Sequence, residues 1–332
     1  MPLARDSVAV RFDDERYDVA DLVLLALAEG HWQRLEARLA RGLALERDHG
    51  RELAPARVTA EVKRFRYARR LISGKELRAW LSDRALTLED VRRHCLRTLL
   101  IADHGERGAG VEPDAAEIDA EAIVSGTLGR AAARLGDLAA MAGAGLAAPD
   151  TSGLLDAVAA HPHAGLSALP DLEARAGRIL RLLASEPAFT ERTTTPQAVA
   201  RCFAEHGIDW LRVECAELTL AREGAAREAM LCLRVDGTSL RDLARDLDAT
   251  PRTRELYVSD VPNGLGPVLA SAAIGDPVGP FPTDEGWTVL VVNERVAPTA
   301  ADPELSRRAT AAIVTRARER VKAGRMHELA AL

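Results

Sequence analysis

The chain has 332 residues, of which 47% are hydrophobic but only 4% aromatic, and a formal net charge of −6. That length accommodates two or three compact units, and cores drawn from Ala, Leu and Val favour packed helices over aromatic-rich sandwiches. The 50 acidic and 44 basic residues are interspersed, which leaves no broad cationic face for a nucleic acid.

The opening "MPLARDSVAVRFDDERYD" has no apolar core of signal-peptide length, and "VADLVLLALAEG" at 19–30 is too short and too acidic to span a bilayer. A protein neither secreted nor membrane-embedded is expected. Cys95, Cys202, Cys215 and Cys232 are scattered without a CxxC pair, so each reads as a small hydrophobe, which fits a reducing cytoplasm.

Residues 18–104 read as a helical unit. Ser73 with Glu76 in "SGKELRAWL", and Thr87 with Asp90 in "TLEDVRRHCLRTLL", match the capping box, in which a hydroxyl and a carboxylate each satisfy a free amide at a helix start. Behind them Leu77, Trp80 and Leu81, then Leu88, Val91, Cys95, Leu96 and Leu99, recur at three- and four-residue steps and give each helix one face to bury.

The stretch "HGERGAGVEPDAAEID" at 104–119 breaks this periodicity and reads as a loop or linker. Helical spacing returns at 121–147, where the small residues of "MAGAGLAA" suggest close helix packing, and 148–170 is broken again. Helices are expected at 171–185 and at 196–207, the second capped by Thr195 with Pro196 in its first position. His161 and His163 in "HPH" are separated by Pro162 with no Cys or further His close by. A metal site there would need distant ligands, and a polar turn before Pro170 is the simpler role.

From 211 the pattern changes. "LRVECAELTLA" alternates as a strand, "EGAAREAMLCLRVDG" and "SLRDLARDL" read as helices, and "RELYVSDV" reads as a second strand. "PNGLGPVLASAAIGDPVGPFPTDEGWTVLVVNERV" then gives a helix, a turn, a short strand and a long strand. Strand, helix, helix, strand, helix, strand, strand describes a small α+β domain with helices against an antiparallel-rich sheet. Asp302 and Pro303 open a last amphipathic helix carrying Leu305, Ala309, Ile313, Ala317 and Val321 on one side.

That element order, with "DGTSLRDLARDL" and "AAIGDPVGPFPTDEGWTVLVVNERV", resembles the parvulin domain of peptidyl-prolyl isomerases. The resemblance implies that the Ala/Leu-rich helix lines a proline pocket, that the G-x-x-x-G-P turn leads into a short strand, and that "GWTVLVV" closes the sheet. The remaining helices look like the chaperone body of SurA/PpiC-type proteins, in which both ends of the chain pack around an inserted isomerase domain. The implied architecture is α+β: a helical SurA-like body at 18–208, a parvulin-like domain at 209–297, and a C-terminal helix at 298–332 packing with the N-terminal helices. Within the superfamily, "SGKELRAWLSDRALTLEDV", "EPAFTERTTTPQAVARCFAEHGIDWLRVECAELTL" and "GPFPTDEGWTVLVV" are most similar to peptide maturation system proteins, which are found beside gene clusters for ribosomally made, modified peptides.

Active parvulins carry a histidine in the first strand, in a pattern like R-H-I-L-V, and another in the last, in G-x-H-I. Laid on those patterns, this chain has Glu217 and Thr288. A carboxylate in place of an imidazole brings charge to a site that should favour a low-polarity, twisted amide, so weak or absent isomerase activity is expected. The groove is expected near Glu217, Leu265, Leu269, Trp287 and Thr288, holding a precursor peptide or other extended polypeptide without a metal or cofactor, with a peptide-modifying enzyme as a further partner.

Retained isomerase activity, and a peptide-modifying enzyme using Glu217 as acid or base, are the alternatives. Against the last, strand alternation allows Glu217 to be merely the polar face of an exposed strand. "NGLGP" at 263–267 lacks both the phosphate-loop and dinucleotide patterns, and "GHWQRL" and "RFRYARR" read as solvated helix faces. The last helix allows either an intramolecular or a swapped, homodimeric arrangement.

Overall fold

The computed structural model describes residues 4–142, 149–261 and 265–329. The chain divides into two compact units, Met1–Thr190 with Ala317–Leu332, and Glu191–Arg316. Helix and antiparallel sheet are mixed in the chain, which is therefore α+β. Among the described residues no helix is long and apolar enough to cross a membrane.

The first unit opens with a hairpin, β1 (Val8–Phe12) and β2 (Glu15–Asp18), turned at Asp13 in the left-handed region (φ 51°). The alternation in "VAVRF" and the Asp-Asp turn mark it in the sequence, although the helical reading begins only at 18. Next come α1 (Val19–Ala28), α2 (His31–His49), α3 (Pro55–Ala68), α4 (Gly74–Asp83) and α5 (Leu88–His104). Helix α1 is apolar nearly all round and is buried from Val19 to Leu27, as expected of a central helix. Its one charged residue, the fully buried Asp21, meets Arg178 at 2.6 Å and Arg175 at 3.3 Å.

Both expected capping boxes form: Glu76 N donates to Ser73 Oγ at 3.1 Å and Asp90 N to Thr87 Oγ1 at 3.2 Å, with the carboxylates returning to the cap amides. Of the apolar stripe expected on α5, Val91 and Cys95 are buried, Leu96 and Leu99 are half-buried, and Leu88, the first helical residue, is 46% exposed, while Leu100 and Ile101 are buried beside them.

The linker expected at 104–119 is shorter, because Asp114 and Glu117 form a further capping box that starts α6 (Ala115–Val124). Gly126 breaks the next stretch ahead of α7 (Thr127–Met141). Most of "MAGAGLAA", 143–148, lies outside the described residues. The region 148–170 is not broken throughout, since "SGLLDAVAA" forms α8 (Ser152–Ala160). His161 precedes and His163 lies within a 3-10 turn, Pro162–Ala164, and they face Glu36 and Glu112 respectively. Helix α9 (Leu172–Thr193) runs on past Pro187.

In the second unit, Thr195 caps α10 (Pro196–Glu205) by accepting from Ala198 N at 3.2 Å. There follow β3 (Arg212–Leu220), α11 (Glu223–Leu231) with a π turn at Cys232–Asp236, α12 (Leu240–Asp246), β4 (Arg252–Tyr257), α13 (Leu265–Ser271), β5 (Pro277–Thr283), β6 (Gly286–Val296) and α14 (Pro303–Arg325). The element order is the one expected. The second strand, however, starts at Arg252 and ends at Tyr257, where Val258–Asp260 turns into a 3-10 helix. The strands form one antiparallel sheet in the order β4-β3-β6-β5.

Leu305 and Ala309 of α14 are buried with Cys202 and Trp210, while Asp302 caps the helix and accepts from the Tyr257 hydroxyl at 2.7 Å. A final strand, β7 (Met326–Leu329), pairs with β1 in the first unit, giving the order β2-β1-β7.

Candidate functional site

Strand β3 has alternating side chains, and both of its faces are covered. On one face Leu218 and Leu220 join Val289 of β6 and pack with Ala226, Ala229 and Met230 of α11 and Leu240, Leu243 and Ala244 of α12. On the other, Val213 and Cys215 join Leu290 and Val292 of β6 and pack with Leu269 of α13 and Val278 of β5. Register places Glu217 opposite Leu290 and Thr219 opposite Thr288, so these residues continue the second face.

The second face is where polar groups interrupt the apolar core. Glu217 is 6% exposed and Thr288 is 2% exposed, so Glu217 is not the polar side of an open strand. Thr219 Oγ1 and Thr288 Oγ1 lie 2.9 Å apart, Thr283 Oγ1 is 3.4 Å from Thr288 Oγ1, and the Thr219 hydroxyl lies 3.4 Å from Glu217 Oε1. From the other side Arg254 donates to Glu217 Oε2 at 3.1 Å, with its own side chain 55% exposed. The row Arg254, Glu217, Thr219, Thr288, Thr283 thus crosses all four strands of the sheet.

Backbone geometry holds β5 close against β6 beside Thr288. Gly279 has φ +127°, and a Cβ there would sit 2.8 Å from the Thr288 carbonyl oxygen, so only glycine lets β5 approach β6 at this point. The Gly279-Pro280 bond is cis and coincides with the register shift between Val278 and Phe281, after which Phe281 faces Thr288. Helix α13 docks equally closely, because a Cβ at Gly266 would lie 2.5 Å from the Val258 carbonyl oxygen.

Of the five residues expected at the groove, Glu217, Thr288 and Leu269 share this face, and Leu265 stands half-buried at the start of α13. Trp287 does not join them: it packs with the cluster on the α11/α12 side, one residue out of phase with Thr288. Residues 262–264, which include the start of "NGLGP", lie outside the described residues. The sequence alone marks none of Thr283, Arg254 and Phe281 as a site residue. Thr219 is legible from alternation once Glu217 is chosen, whereas Arg254 and Thr283 arrive from neighbouring strands that only the register connects.

Burial pushes the Cys215 thiol up to about 11, reinforced by the Glu217 and Glu214 carboxylates. Cys215 is therefore a neutral, packed side chain. The one histidine in Glu191–Arg316, His206, stacks on Trp210 at 4.7 Å and faces Asp209 at 3.5 Å. No imidazole of this unit occupies the row. Among the described residues no group of three or more His, Cys, Asp or Glu side chains is arranged to hold a metal ion.

No family model matches the sequence, and no curated protein does. Among solved structures the chain is similar to PrsA from Bacillus subtilis at 14% identity, over 65% of this chain and 89% of that one, with a TM-score of 0.22. It is also similar, at 8% identity over 96% of this chain and 94% of the other, with a TM-score of 0.19, to a structure from work on two SurA-like chaperones of Campylobacter jejuni, the virulence factor PEB4 and the periplasmic protein Cj1289. At such TM-scores these likenesses fix neither fold nor function.

Proposed function

We propose that this chain is a parvulin-like, chaperone-type protein that holds an extended polypeptide on the α13 face of its four-stranded sheet and has little or no prolyl isomerase activity. The observation that carries the reading is the polar row: a buried glutamate and a threonine stand where the resemblance to parvulins calls for two imidazoles, in a unit with the matching order of elements. Rotation about a peptide bond must cross a barrier of about 18–20 kcal/mol. An enzyme lowers it only through contacts that are stronger to the twisted amide than to the planar one. A carboxylate paired with Arg254 at one oxygen still brings charge to that point and offers no donor to the amide.

The resemblance of "SGKELRAWLSDRALTLEDV" and "GPFPTDEGWTVLVV" to peptide maturation system proteins supports a finer reading. The polypeptide would be the precursor of a ribosomally made peptide, held in the cytoplasm and handed to a modifying enzyme. The test pairs two measurements on the full chain. Titration with extended, Pro-containing peptides is expected to show saturable binding, while exchange spectroscopy on the same peptides gives cis–trans rates no faster than in buffer. Failure to bind at millimolar peptide refutes the reading, and accelerated exchange that Glu217→Ala abolishes replaces it with an isomerase.

A further inference from the structure

Resting on the peptide-binding reading, we infer that Glu217 gives this face a preference for basic segments, taking a Lys or Arg side chain of the bound polypeptide beside its apolar contacts.

A carboxylate offers about four acceptor positions, and among the described residues only Arg254 and Thr219 donate to Glu217. Its described neighbours on this face of the sheet are Arg254 from β4, Thr219 and Cys215 from its own strand, and Thr288 and Leu290 from β6, with Leu269 of α13 packed in the apolar cluster that Cys215 and Leu290 share. Among the described residues Arg254 occupies Oε2, and Oε1 has only the Thr219 hydroxyl at 3.4 Å, a hydrogen that Thr288 competes for from 2.9 Å. Arg252, which register sets opposite Glu217, is engaged instead by Glu285 at 3.1 Å. One oxygen of a nearly buried carboxylate is therefore left for a donor from outside, and a cationic donor gains most there because the partly desolvated site screens it weakly.

The row opens to solvent where Thr219 is half-buried and Thr283 is exposed. Apolar surface on the same helix and turn, Val268 and Ile274, stands exposed near Leu269 and offers contact to the neighbouring side chains of such a segment. Arg254, held at its edge and largely solvated, is the only cation that the incoming side chain must share the carboxylate with among these neighbours.

The test uses three capped peptides identical except for Lys, Gln or Glu before a central Pro, titrated by fluorescence anisotropy against the full chain at low salt. Lys is expected to bind about tenfold more tightly than Gln, the scale of one charge-assisted hydrogen bond, and Glu more weakly than Gln. Glu217→Gln should bring the three affinities together, and Arg254→Ala, a change at an exposed side chain, should widen the gap between Lys and Gln. Equal affinities for all three peptides, a preference for Glu, or a Lys preference that survives in Glu217→Gln overturns the inference while peptide binding itself stands. Binding of none of the three overturns the peptide-binding reading and this inference with it.

Discussion

The two faces of the β4-β3-β6-β5 sheet are made from the same strands, one residue out of phase, yet they are built differently. The face under α11 and α12 is closed with Leu218, Leu220, Val289, Leu240 and Leu243 and, among the described residues, carries no buried charge. The face under α13 begins in the same way, with Val213, Cys215, Val292 and Leu290, and then gives way to Glu217, Thr219 and Thr288. Burying a carboxylate costs stability unless it is paired and hydrogen-bonded. A strand that could have continued in Leu and Val instead carries the polar row, so the α11/α12 face is where the fold is secured and the α13 face is where binding is expected.

That contrast breaks most visibly on the apolar side. Leu218→Ala is expected to cost about 2–5 kcal/mol in urea unfolding, since it opens a cavity in a closed core, and to weaken peptide binding only as far as the fold is lost. Gly279→Ala should cost about 1–3 kcal/mol through its positive φ. It should also disturb binding in molecules that remain folded, because the added methyl pushes β5 off Thr288.

The Cys215 thiol supplies a pH arm to the comparison. Its folded value, about 11, lies above the ordinary 9.0, so between these pH values the unfolded chain releases a proton that the folded chain keeps. Its contribution is full below pH 9 and is lost as pH rises towards 11, at roughly 1.4 kcal/mol per pH unit. The stability slope in that window should flatten in Cys215→Ala. The smallest effect on stability is expected at Glu217→Leu, within about 1 kcal/mol of neutral and on the stabilising side, because the Arg254 left behind is already solvated. A large loss there would show that the polar row secures the fold, and the distinction between the faces would collapse.

Much of both units is legible in the sequence. Alternation in "RVECAELTL" and "GWTVLVV" gives the central strands, and Thr195, Ser73 and Thr87 mark helix starts through a local rule that needs no tertiary information. The misplaced features depend on more than local pattern. Trp287 and Thr288 are adjacent, and only the pairing of Thr288 with Thr219 decides which of them faces α13. Helix α8 was hidden by the Gly and Pro residues around it, and α6 by the loop before its Asp114 cap. β7 closes its sheet with a strand more than 300 residues away in sequence, a pairing no short window can reveal. The resemblance draws attention to Glu217, but its burial and its contact with Arg254 follow from strand register and packing.

The most direct measurement maps where a peptide lands. In spectra of the chain labelled at Leu, Val and Thr methyl groups, titration with an extended Lys-Pro peptide is predicted to shift Thr219, Thr288, Leu269 and Val268, and to leave Leu218, Leu240, Leu243 and Val289 in place. Shifts confined to the α11/α12 cluster, or none on either face at saturating peptide, would contradict the account.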